Sequence, residues 1–271
     1  MWLRSFNQPV VSVKSLAGGC IALAALAACG GKPTAAKSGA AEVRADAGYL
    51  APPIPDDLRA RPEGLSLSGS ALAGGRVRLA TPAGQVLFAK VDDTGRWTIL
   101  LGPVTEPRIY GLSVAGKGRT AQAEGYVVVA PGGLGALLRA GAGARRIDKA
   151  AASGLRAVDF DRGGGVEISA VAPPDSVVLL HLDGRLAAQG RADGAGHYDA
   201  SLPTPGSSTP IRPGPHRIEV SGEGFSDTAA IQVSPPAPLG KGPARSQLTG
   251  AGLRIDWATP GGGVQSTILV D

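Results

Sequence analysis

The feature that most constrains this chain is a stretch of strand-like sequence that occurs twice. From Leu65 it reads L-S-L-S-G-S-A-L-A-G-G-R-V-R-L-A, and 101 positions later Val166 opens V-E-I-S-A-V-A-P-P-D-S-V-V-L-L-H. In each copy apolar residues alternate (Leu65 and Leu67; Val166 and Ile168), a Gly, Pro or Asp turn follows, and a second alternating run begins (Val77 and Leu79; Val178 and Leu180). Alternation with period 2 places every second side chain on one face, which is what a half-buried strand requires. The match continues through Asp93-Thr94-Gly95-Arg96-Trp97 and Gly194-Ala195-Gly196-His197-Tyr198, and closes at Val127-Val128-Val129-Ala130-Pro131 and Ile231-Gln232-Val233-Ser234-Pro235. Two copies of one β domain are expected.

Composition agrees. The 271 residues include 41 Gly and 22 Pro, and since an interior Gly costs a helix about 1 kcal/mol and a Pro about 3, long helices are excluded. The 43% apolar content is too high for a wholly disordered chain, and no strict Gly-X-Y period is present.

A second repeat has an offset of 98. Gly154-Leu155-Arg156 leads to Gly163-Gly164-Gly165-Val166, and Gly252-Leu253-Arg254 leads to Gly261-Gly262-Gly263-Val264, with Asp159-Phe160 and Asp256-Trp257 between. The pattern predicts a strand, a tight Gly turn and a returning strand. The first return strand opens the second β domain. The second ends at Ile268-Leu269-Val270-Asp271 with no domain to follow, so this strand needs a partner in the same chain or in a different one, and β-augmentation of an exposed edge is the specific expectation.

Each β unit has Gly-x-Trp or Gly-x-Tyr after an acidic, Gly-containing turn, and the second has a later G-P-H-R-I-E-V strand. In this it resembles the bacterial Ig-like and carboxypeptidase-regulatory-like β-sandwich modules. The resemblance implies that Trp97 and Tyr198 plug the space between two sheets. The fold class is therefore read as all-β: two tandem Ig-like antiparallel β-sandwich domains with Gly/Pro-rich linkers and a C-terminal β-hairpin.

The start of the chain has a different character. Arg4 and Lys14 precede an apolar run over residues 15–28, the layout of a secretory signal. The run is too short for the roughly 20 helical residues that span a bilayer. It ends in Leu26-Ala27-Ala28-Cys29, which resembles the lipobox of bacterial lipoproteins. That resemblance implies cleavage before Cys29, attachment of diacylglycerol to its sulfur and acylation of the new amino terminus. Several acyl chains, at about 0.8 kcal/mol per buried CH₂, make a stable anchor. Gly30 rather than Asp follows Cys29, which in the family's sorting rule implies the outer membrane. Cys20 would leave with the leader, so the mature chain would have no free thiol and no disulfide.

The boundaries expected from these patterns are a lipoprotein signal peptide over 1–28, a flexible tether over 29–62, Ig-like domain 1 over 63–131, a connector with a short helix over 132–153, Ig-like domain 2 with a leading hairpin over 154–235, and a linker with the C-terminal hairpin over 236–271.

Few residues suggest chemistry. Loss of Arg4 and Lys14 lowers the net charge from +5 to +3, too small a surplus for nucleic acid. The dense patch Arg139, Arg145, Arg146 and Lys149 reads as a solvated connector surface. His181, His197 and His216 have no metal-ligand spacing, and G-x-S-x-G is absent. A Gly loop after Val127-Val128-Val129-Ala130 lacks the third Gly of a dinucleotide fingerprint and any Gly-Lys-Ser/Thr. Asp92-Asp93 and Asp159 with Asp161 read as turn residues rather than calcium ligands. The only assigned site is lipidation at Cys29; no catalytic, cofactor or metal residue is assigned. The expected role is a non-catalytic, lipid-anchored envelope protein, facing the periplasm, that contacts another envelope protein or a cell-wall polymer. The alternatives are an envelope glycan-binding accessory protein, with Trp257 among the available rings, and a hydrolase whose site the sequence does not display.

Overall fold

The computed structural model describes residues 49–148, 152–202 and 211–271. The leader, Cys29, the segment after it up to residue 48, and Lys149 lie outside the described residues. The first repeat unit forms β1 (Ile54–Arg61), β2 (Gly64–Ser70), β3 (Arg76–Ala80), β4 (Val86–Lys90), β5 (Arg96–Leu100), β6 (Arg108–Gly116) and β7 (Arg119–Ala130). These divide into a sheet of order β1-β2-β5 and a sheet that begins β4-β3-β6-β7. Such a three-on-four antiparallel arrangement is that of an Ig-like sandwich.

The second unit repeats the arrangement. Strands β10 (Gly154–Asp161), β11 (Val166–Val171), β12 (Val177–Leu182), β13 (Arg185–Arg191), β14 (His197–Leu202), β15 (Gly214–Gly222) and β16 (Phe225–Val233) give one sheet containing β14-β11-β10 and a facing sheet β13-β12-β15-β16. Trp97, at the start of β5, is 2% exposed in the first core and Tyr198, at the start of β14, is 5% exposed in the second, so both rings sit between sheets as the resemblance implies.

Three sequence expectations are corrected. Residues 54–61, assigned to the tether, form edge strand β1, where Leu58 is buried in the first core. Its alternation is masked by Pro53, Pro55 and Asp56-Asp57. The connector over 132–153 has no α-helix among its described residues. After a 3₁₀ turn at Pro131–Gly133 it forms β8 (Leu134–Leu138) and β9 (Arg145–Arg146), which extend the first unit's larger sheet to β4-β3-β6-β7-β8-β9. Leu134, Leu137 and Leu138 mimic helical spacing, but Ala136 and Leu138 face one core while Leu137 faces another, which is strand alternation.

The third concerns the last strand, whose partner lies in the same chain, so the expectation that it augments another exposed edge is corrected. β17 (Ala244–Thr249), β18 (Gly252–Ala258) and β19 (Val264–Val270) join the second unit's sheet, whose order is β14-β11-β10-β19-β18-β17. β19 is antiparallel to β10 on one side and to β18 on the other, so it is an interior strand and β17 is the edge. The C-terminal hairpin β18–β19 lies beside hairpin β10–β11, the segment it repeats.

The result is four sheets with three cores. One core lies within each sandwich; the third joins the large sheet of the first to the large sheet of the second. Strand β7 shows why: Val127 and Val129 face its own sandwich, whereas Val128 and Ala130 face Ala157, Leu253, Ile255, Trp257 and Leu269 of the other. Strands buried on both faces read as continuous apolar runs rather than alternating ones, as Val127-Val128-Val129-Ala130 does. No helix among the described residues is long and apolar enough to cross a membrane.

Candidate functional site

The most polar part of the molecule's interior lies where the two sandwiches meet. The outer face of β11 and β14 carries two cross-strand polar pairs: Ser201 Oγ donates to Glu167 at 2.6 Å, and Ser169 Oγ donates to Asp199 Oδ1 at 2.8 Å. Next along β14 on the same face is His197. Burial pushes the Glu167 carboxyl above its ordinary range, and burial followed by the nearby Arg145 pushes the His197 imidazole below its own.

The β8–β9 loop closes over this face as a clasp. Arg139, 7% exposed, donates from Nη2 to Asp199 Oδ2 and from Nε to the Gly143 carbonyl, both at 2.8 Å. Gly143 permits the close approach. Its φ is +73°, and an added Cβ would lie 2.2 Å from Ser169 Oγ. The Ala144 amide donates to Asp159 Oδ2 at 2.8 Å and the Gly141 amide to Gln265 Oε1 at 3.3 Å. Arg146 pairs with Asp148 at 2.5 Å, both side chains buried, and donates to the Val270 carbonyl at 2.8 Å. The described arginines of the patch are therefore the joint between the sandwiches, not a solvated surface, and Arg145 alone among them is more than a third exposed in its side chain, at 35%.

Asp159 is the centre of the buried network. It is 1% exposed and accepts from Thr267 Oγ1 and Gln265 Nε2 as well as Ala144. Burial drives its pKa up to about 6 against those three hydrogen bonds. The turn reading of Asp159 is thus corrected, while Asp161 and Asp92 do serve turns: Asp161 accepts from the Gly165 amide, and Asp92 from the Thr94 and Arg96 amides.

The similar-looking Asp256 points to the opposite face. Its largest influence is burial, which raises its pKa, but bonds from Ser266, Arg254 and Arg245 hold the carboxyl below its ordinary range. The repeat offset is the reason: 98 residues on, Asp159 corresponds to Trp257 and Val158 to Asp256, and neighbouring positions of a strand face opposite ways. The β-bulge between Leu155 and Ala157 instead turns Leu155 into the second sandwich's core, while its counterpart Leu253 faces the third.

The remaining histidines do not converge. His216 Nδ1 is 2.8 Å from Asp183 and its Nε2 is 2.7 Å from the Arg212 carbonyl, so neither nitrogen is open to a nucleophile. His181 lies on β12, apart from both. Among the described residues no group of three His, Cys, Asp or Glu could hold a metal ion. Trp257, expected among the rings available to a glycan, is fully buried and donates from Nε1 to Thr267 Oγ1 at 3.0 Å. Of the described rings, Tyr49 and Phe88 are the exposed ones, and the Arg76 guanidinium covers Phe88 at 3.8 Å.

Beside the clasp, a cleft of about 470 Å³ opens between β1 and β9 on one side and β11 and β14 on the other, and a second lobe of about 250 Å³ adjoins it under Pro52 and Pro53. Arg145, Ile147 and His197 line both lobes.

No protein-family model matches the chain, and no curated protein matches it by sequence. Among solved structures it is similar to a "Biofilm associated protein - BSP domain", at 16% identity over 70% of this chain with a TM-score of 0.24; the match spans 30% of that structure's length. It is also similar to the "Central Fibronectin-III array of RIM-binding protein", at 13% identity over 77% of this chain and 72% of that one, with a TM-score of 0.26.

Proposed function

We propose that this protein is a non-catalytic module of a bacterial cell envelope, lipid-anchored at Cys29 in the outer membrane and facing the periplasm. There it acts as a rigid β platform for another envelope protein or for a cell-wall polymer. The observation that carries the reading is the third core. Domains joined by small polar contacts move relative to one another, whereas a buried apolar interface holds them fixed, and here Trp257, Ile255, Leu253 and Leu269 are buried against Val128, Ala136 and Leu138 of the other sandwich. A two-sandwich body fixed in this way suits a spacer or a scaffold. The occupied nitrogens of His216 and the separation of the three histidines support a role without catalysis.

The experiment compares the full chain with its Cys29→Ser variant in a bacterial host, by intact mass and detergent partition. Loss of residues 1–28, a gain of acyl mass and entry into detergent, all absent in the variant, is the expected result. Equal solubility and equal unacylated mass for both would overturn the anchor.

A further inference from the structure

Four acids and four arginines line the main lobe of the cleft between the sandwiches, but they are not evenly paired. Asp56 is held by Arg96 at 2.5 and 2.9 Å, Asp57 by Arg59 at 3.0 Å, and Arg146 by Asp148 at 2.5 and 2.6 Å. Both oxygens of Asp199 are taken, one by Arg139 and one by Ser169. Arg145 is the most weakly held. Its Nη2 stands 3.8 Å from the carboxylate that Arg139 already holds, and its Nε is buried with no hydrogen-bond partner. His197 lines the same wall, and none of the described residues hydrogen-bonds its ring. Among the described residues, Arg156, buried at the cleft, donates to the carbonyls of Leu155 and Ala152 and feels the charges of Asp227 and Asp148 without bonding to either. A cation partly withdrawn from water without a full partner favours an anion beside it.

The second lobe adds an apolar wall of Pro52, Pro53, Leu137 and Ile147 beside the shared Arg145 and His197. We propose that the cleft is a binding site for a small apolar monocarboxylic acid of N-acyl amino acid size, its carboxylate on Arg145 and His197 and its apolar body against Pro52, Pro53 and Ile147. The planar guanidinium matches a carboxylate's two oxygens. Pockets of roughly 300–1,000 Å³ with an apolar lining and a few polar groups are the usual small-ligand sites. Glu124, which has no ion-pair partner among the described residues, opposes a second negative charge and so disfavours phosphates. This site is independent of the anchor at Cys29 and stands whether or not that anchor is real.

The test titrates the purified full-length protein with N-acetyl-leucine and with N-acetyl-leucinamide, which differ only in the charged oxygen. Calorimetry is expected to show saturable binding of the acid and binding of the amide weaker by about tenfold or more, the loss of one charge-assisted pair. The acid, and not the amide, should also shift the His197 ring-proton resonances. Arg145→Gln should remove the preference for the acid, while Arg217→Gln, outside the cleft, should leave it. Equal binding of acid and amide, no binding of the acid at millimolar concentration, or an unchanged preference in a folded Arg145→Gln variant would each overturn the proposal. The His197 resonances of the unmodified protein decide the matter if Arg145→Gln does not fold.

Discussion

Asp159 and Trp257 stand 98 residues apart, at matching positions of the repeated hairpin, and are joined through one hydroxyl: Trp257 Nε1 donates to Thr267 Oγ1, which donates to Asp159 Oδ1. All three are buried in the joint between the sandwiches. The copy in β18 supplies an apolar ring where the copy in β10 supplies an acid, and the strand between them supplies the link.

This network has a pH signature. The folded-state pKa of Asp159 is raised from the ordinary 3.8 to about 6, so the folded state binds the proton more tightly than the unfolded chain does. Its contribution to stability is fully present below about pH 4 and is lost as pH rises through 6, an amount on the order of 3 kcal/mol at about 1.4 kcal/mol per pH unit. Asp159→Asn should remove this component. Denaturant midpoints between pH 4 and 7 check it, and a variant with the unmodified protein's slope would contradict the assignment.

Trp257→Ala should uncouple the sandwiches. Truncating a buried Trp costs about 3–5 kcal/mol, and here the loss falls on the third core rather than on either sandwich's own. Calorimetry of the unmodified protein should show one transition, and of the variant two.

Gly143→Ala should destabilise the clasp, by about 1–3 kcal/mol from left-handed strain and from displacement of Ser169. Gly141 has a similar φ of +65° but open space around it, so Gly141→Ala should cost only the strain, about 1–2 kcal/mol. Thermal melts of the pair separate the two effects.

Removing residues 264–271 should abolish cooperative folding of the second sandwich, since β19 hydrogen-bonds both β10 and β18, and Ile268 and Leu269 belong to different cores. Dye binding to exposed apolar surface and loss of a sharp melt are expected. An unchanged melt would require that β19 be a dispensable edge.

Much of this was open to reading in the chain alone. The repeats at offsets of 101 and 98 marked alternating strands and tight Gly turns in each unit, because alternation and turn chemistry are local properties written in neighbouring residues. The two plug rings followed from the family resemblance, while β1, β8 and β9 escaped the reading. What the sequence did not determine was the joint. Whether Val128 faces its own sandwich or another, whether Asp159 meets a turn or the buried joint, and whether Arg139 meets solvent or Asp199 are settled only when sheets distant in sequence stack. A residue buried against a distant sheet carries the same local pattern as one exposed to water. The decision between the two rests on which second surface is available to cover it, and only the tertiary structure provides that surface.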